Sequence, residues 1–265
     1  MLPASAIFKI KNHEKENLYP NSRRGYHIQN KGLRRMKYLL TFFILIGTFT
    51  TSISQEINKD LKNKLAQIQK KDQGYRELSK GGISEINKTA LLKELNLTEK
   101  EFQEKERELF ERNDSLNLIE VEQIIAEHGY PGKSLVGEPE NEAAWFVIQH
   151  SNKIEKYYPL IEKAGKKGEL DITKVAMMKD RLLMDQGKVQ IYGTQGKTIF
   201  LTENPKSQDD LKVIIWPIKN PKSVNKLRQK TGFKTSIEEY ANKLNIDYKI
   251  YTLEEVNKMQ KITSQ

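Results

Sequence analysis

"DITKVAMMKDRLLMDQGKVQIYGTQGKTIF", Asp171–Phe200, contains the change of period on which the fold turns. From Ile172 to Gln186 the apolar residues keep helical spacing, with Asp171 in the N-cap position and Gly187 where a helix ends on a left-handed residue. Beyond Gly187 the period falls to two. "VQIYGTQ", "KTIFLTE" and "LKVIIWPI" then read as short strands, with turns at Gly196 and around Asn204-Pro205. The expectation is a mainly α (α+β) chain: one helical domain with a small antiparallel sheet or hairpin in its C-terminal third.

The rest of the chain fills in helices. Leu61, Leu65 and Ile68 follow Ile57 at helical spacing in 56–78, and Gly81-Gly82 breaks that helix. A second runs from a Thr98/Glu101 capping box to a stop at Gly129 and Pro131, with Phe102, Leu109, Leu116, Ile119 and Ile124 as its expected apolar register. "YPGKSLVGEPEN" reads as a loop and "NEAAWFVIQHSNKIEKY" as a buried helix, after which Pro159 opens another, ending at Gly165 or Gly168. Pro221 and Ser236 start the last two expected helices.

The front end is of another kind. Arg34, Arg35 and Lys37 precede a 12-residue apolar run, Tyr38–Phe49, and Ser52 and Ser54 hold the small positions before Gln55. That is the layout of a secretory signal over 36–54, too short for a comfortable bilayer span of roughly 20 residues. It predicts export, periplasmic or secreted; an uncleaved signal would instead anchor the chain through residues 37–54. Residues 1–35, polar and patternless, read as a disordered or misannotated extension, with Met36 the more natural start. Residues 1–54 hold nine of the 45 Lys and Arg but two of the 35 Asp and Glu, so the net charge of +10 falls to +3 for 55–265. The basic balance thus argues for no nucleic-acid partner. Absence of cysteine excludes disulfides, thiolate catalysis and a lipobox. Neither a P-loop, GxGxxG, GxSxG, HExxH nor a calcium-loop pattern is present, so no cofactor and no metal site is expected.

Polar residues gather where apolar ones would be ordinary. Asp180 sits on a helix face with Ala176, Met177, Leu183 and Met184, and Arg181 beside it diverges from that face. His150 has Phe146, Val147 and Ile154 as face neighbours and Gln149 next to it. A buried carboxylate and a buried imidazole on two helices invite an acid–base pair, His150 with Asp180, in which Arg181 stabilises an anion. Gln190, Tyr192 and Thr194 would share one side of a strand, with Gly193 permitting close approach and Gln195 adding an amide.

Gln149-His150, Asp180-Arg181 and Gln190 with Tyr192-Gly193-Thr194-Gln195 also resemble the marks of an uncharacterised bacterial domain family of unknown function. Asp72-Gln73 with Arg76, Asp114 with Asn117, Gly129-Tyr130-Pro131 and Ala143-Ala144-Trp145 extend the resemblance, as do Pro217-Ile218, Val224-Asn225, Arg228 and Gly232, to roughly 60–245. It implies that these residues form one site and says nothing of a reaction. Two readings remain: a hydrolase-type pocket for an unknown small molecule, with His150, Asp180 and Arg181 catalytic and Gln149, Gln190, Tyr192, Thr194 and Gln195 binding; or a non-catalytic domain contacting an envelope component, whose polar residues form a structural network.

Overall fold

Helix α5, Ala143–Gln149, is apolar all round, and Ala143, Ala144, Trp145, Val147 and Ile148 are all buried. A helix without a polar face has to sit inside others. Those others are α1 (Lys59–Ser79), α3 (Glu99–His128), α6 (Ile154–Lys166) and α7 (Ile172–Asp185), each of which packs on it. The structure is a computed structural model that describes residues 56–80, 82–202, 206–207 and 210–261. The expected extension at 1–35 and signal at 36–54 lie outside them. The core of the helical layer joins Leu65, Val121, Trp145, Ile148, Ile161 and Met178, and the Trp145 indole N–H donates to Lys174 O at 2.9 Å. At the far end of α1 and α3, Leu78 and Phe102 pack with Leu92 of α2 (Glu85–Glu94), a helix the sequence reading passed over.

Capping follows the sequence: the side chains of Thr98, Asp171 and Ser236 accept from backbone N–H groups of the first turns of their helices. Four expectations are corrected. Inside the "YPGKSLVGEPEN" loop, α4 (Lys133–Val136) makes one turn, which Gly137 at φ 77° closes. The helix expected through His150 stops at Gln149, and α6 restarts at Ile154 with Pro159 in its interior rather than at its start. In α3 the inward stripe is Asn113, Asn117, Val121 and Ile124, while Leu116 and Ile119 are about half exposed. The fourth concerns residues 189–195, which form no strand; Gln190 makes only an isolated parallel bridge to Ile218.

The fold is mainly helical, with ten α-helices among the described residues and a two-stranded antiparallel sheet. Strand β1 (Gly196–Phe200) pairs with β2 (Leu211–Ile215) in the register Gly196↔Ile215 to Phe200↔Leu211. Alternation then splits the C-terminal core: Ile214 joins Ile199, Trp216 and Val256 of α10 (Leu253–Lys261), while Ile215 joins Val224 of α8 (Val224–Thr231) and Ile237 and Ala241 of α9 (Ile237–Lys243). No helix among the described residues is long and apolar enough to cross a membrane.

Candidate functional site

The polar residues fall into two centres. One is closed. Asp180, with no exposed surface, points from α7 into the 190–195 segment, where its Oδ1 accepts the Ile191 N–H at 2.7 Å. The Tyr192 N–H reaches both oxygens at 3.1 Å, and Oδ2 also takes the Thr194 N–H at 3.0 Å and the Thr194 hydroxyl at 2.9 Å. This explains why 189–195 is not a strand: a carboxylate, rather than a neighbouring strand, gathers its N–H groups. Gly193 permits the wrap at φ 74°, and a Cβ there would lie 2.6 Å from Ile237 Cδ1. Burial pushes the Asp180 carboxyl above its ordinary value, against the opposing pull of the bonds it accepts.

The neighbours of this carboxylate are equally committed. The Gln190 amide donates to Gln195 O and Trp216 O and accepts the Gln195 N–H. Gln195 Nε2 donates to Met177 O and Thr194 Oγ1. Arg228, also buried, donates to Tyr192 O at 2.8 Å and to Thr235 O at 2.9 Å, its guanidinium stacked over Phe233 and Tyr240. The Tyr240 hydroxyl closes on Thr194 O. Tyr192 is half-buried against Phe233. Arg181 diverges from Asp180 as helical geometry requires; among the described residues no hydrogen bond or ion pair engages its half-buried guanidinium.

The other centre is open. His150 caps α5, and its Nδ1 lies 3.2 Å from Oδ1 of Asp72, on α1. His150 and Asp180 are therefore not brought together as a hydrogen-bonded pair; Asp72 takes the place expected of Asp180. Asp72 is 1% exposed and the imidazole 21%. The Gln73 amide donates to Asp72 Oδ2, and the Arg76 guanidinium lies 3.3 Å from Oδ1. Arg76 also donates to Asp72 O and to both oxygens of Asp114 on α3, at 3.0 and 2.8 Å. Asn117 Nδ2 donates to Asn113 Oδ1, and the buried Asn113 Nδ2 has no partner. A carboxylate paired with a guanidinium accepts, so the contact orients Nδ1 of His150 as the donor toward Asp72 and turns Nε2 away from it. No hydrogen bond among the described residues reaches Nε2, nor does one engage the half-buried Gln149 side chain.

Asp72, Arg76 and Asp114 were outside the residues expected from spacing to do chemistry, although the resemblance marked all three. Helical arithmetic held a further signal, because Asp72 continues the buried stripe Leu61–Leu65–Ile68 at the next step of four. Among the described residues no group of three His, Asp or Glu side chains is arranged to hold a metal ion.

Comparison with known proteins returns one finding. Residues 90–253 match the model of a protein family described as a "Family of unknown function (DUF6624)". No curated protein and no solved structure matches the chain.

Proposed function

The chain belongs to the DUF6624 family of unknown function, and from that premise we propose that it is an exported domain with a water-activating acid–base centre at His150. The observation that carries the reading is the half-open imidazole whose Nδ1 is held by a buried carboxylate while Nε2 is left without a protein partner. His150 is the general base, Asp72 fixes its tautomer, and Arg76 with Asp114 holds Asp72 in position. Among the described residues no Ser or Thr hydroxyl is hydrogen-bonded to His150, and the chain has no cysteine; this favours direct activation of water over a covalent intermediate. Asp180, Gln190, Thr194 and Gln195 have a positioning role in this reading, and Arg181 keeps a free cation for an anionic substrate group.

The test is a panel of chromogenic esters, amides, phosphoesters and glycosides, offered to the full chain and to His150→Gln and Asp72→Asn. Turnover should fall about 100-fold or more in His150→Gln, the usual scale for a lost general base. Nitrogen-15 imidazole shifts should show the Nδ1–H tautomer in the wild type and its loss of dominance in Asp72→Asn. An inert wild type, or turnover surviving in His150→Gln, overturns the reading.

A second reading, a non-catalytic domain contacting an envelope component, is favoured by the closure of the Asp180 network, in which both Asp180 oxygens, the Gln190 amide and the Arg228 guanidinium all bond within the protein. Export rests on the Arg34–Ser54 layout; N-terminal sequencing of protein from fractionated cells should begin at Gln55, and an intact residue 36–54 segment in the membrane fraction would support the anchor instead.

A further inference from the structure

Away from both polar centres, a cleft of about 320 Å³ opens where the 129–132 turn faces the last two turns of α6. Its apolar lining is Tyr130, Leu135, Leu160 and Ala164, all packed into or against the helical core. Its polar lining includes Lys163 on α6, Lys167 four residues on at the C-cap of that helix, His128 and Glu169. The size is at the low end for a small-molecule site, roughly 300–1,000 Å³.

The wall carrying Glu169 is already fixed. Its carboxylate accepts the Ser134 N–H and hydroxyl, each at 2.8 Å, and its carbonyl accepts from Lys133 N and Asn141 Nδ2. The chain there lies so close to Gly132 that a Cβ on the glycine would fall 2.5 Å from Glu169. Neither Lys163 nor Lys167 forms an ion pair with an acid among the described residues, although Lys166 between them does. Two unpaired ammonium groups therefore border an apolar floor, with one carboxylate already engaged elsewhere. Favourable interaction with the α6 C-terminus explains basic residues in that turn, but it requires no cleft beside them.

We propose that this cleft binds a small organic carboxylate, its head between Lys163 and Lys167 and a short apolar body against Leu135, Leu160 and Ala164. Two lysines against Glu169, with the His128 imidazole also in the lining but beside Glu127, leave about one net positive charge, which suits a monoanion better than a phosphate dianion. The site shares no residue with the His150 centre and does not depend on the reading given for it.

The experiment titrates the purified full chain with benzoate and hexanoate, and with benzyl alcohol and inorganic phosphate as counter-probes, by calorimetry at about 0.15 M salt. Lys163→Gln/Lys167→Gln changes two exposed side chains and should keep the wild-type circular dichroism. Saturable binding of at least one carboxylate, weakened about fivefold or more in the double variant as for loss of two exposed charges, supports the site. Absence of saturation by either carboxylate, equal binding in the double variant, or phosphate or benzyl alcohol binding as tightly as the carboxylates overturns it.

Discussion

Replacing Asp180 with alanine tests the division between a closed and an open centre. The substitution strips the acceptor from three backbone N–H groups, those of Ile191, Tyr192 and Thr194, and from the Thr194 hydroxyl. The hydroxyl can turn, whereas the peptide groups cannot. Thr194 is 4% exposed, so its N–H should bear most of the penalty for a buried unsatisfied donor, up to about 3 kcal/mol. Ile191 and Tyr192 are half-buried, and water can reach part of the gap, which puts each near the lower end of about 1 kcal/mol. The sum is about 3–5 kcal/mol, partly offset by no longer burying a charge and large against a total stability of about 5–15 kcal/mol. Denaturant unfolding, followed by circular dichroism and tryptophan fluorescence, should show a much lower midpoint at an unchanged slope. His150→Ala should cost far less, because Asp72 keeps Gln73 and Arg76 as partners. An Asp180→Ala midpoint within experimental error of the wild type, or a larger loss in His150→Ala, would refute the closed network.

The same carboxylate gives a pH test whose sign is fixed by its burial. Because the folded chain holds the Asp180 proton more tightly than the unfolded chain, Asp180 contributes most below the unfolded value of about 4. That contribution is lost as pH rises through the raised folded value. The stability gap between wild type and the non-titrating Asp180→Asn should therefore narrow as pH rises from about 3.5 to 7. A widening gap would mean that the hydrogen bonds to the carboxylate outweigh its desolvation.

Two further predictions probe the same network. Gly193→Ala adds a Cβ 2.6 Å from Ile237 Cδ1 and 2.8 Å from Ile218 Cδ1 at φ 74°, so overpacking joins the left-handed penalty and the loss should be about 2–4 kcal/mol. Gly187→Ala, at φ 66° with open space around it, should lose only about 1–2 kcal/mol, and equal melting temperatures for the two variants would remove the packing argument. Arg228→Lys keeps the charge but cannot span Tyr192 O and Thr235 O while stacking on Phe233 and Tyr240. It should cost about 2 kcal/mol or more by denaturant unfolding; a near-neutral result would mean that charge alone is what this position supplies.

Much of the fold was legible because caps and periods are local. Thr98, Asp171, Ser236 and Gly187 mark helix ends through bonds or backbone angles within a few residues of themselves. The strands were legible where alternation has a partner, as in 196–200 with 211–215, and failed at 189–195 because the partner there is Asp180, on a helix. A period of two cannot distinguish N–H groups that meet a strand from N–H groups that meet a carboxylate. The α5 boundary failed for a related reason: "QHSN" continues an apolar helix acceptably, whereas the tie from His150 to Asp72 and the bonds of the Ser151 hydroxyl to Ile148 O and from Lys153 N mark where the chain leaves it.

What separates the two centres is the direction in which each polar group is satisfied. On α1 the buried stripe runs Leu61, Leu65, Ile68 and then Asp72; on α3 it runs Ile124, Val121, Asn117 and then Asn113. Along both helices the stripe turns polar between the main core and the Leu78–Phe102 cluster, and α1 and α3 pack together, so Asp72, Arg76, Asp114 and the two asparagines collect there. A reading that tracks only apolar residues prefers Leu116 and Ile119 to Asn113 and Asn117, and thereby turns the helix away from this cluster. Asp180 is as fully buried as Asp72 and Asn117, yet all its bonds run back into its own scaffold, within 14 residues along the chain. The Asp72 cluster instead spans up to 78 residues between partners and ends at a half-open imidazole. Burial of a carboxylate inside an apolar stripe therefore marks where structure is being specified, and the free nitrogen beyond it is the better guide to chemistry.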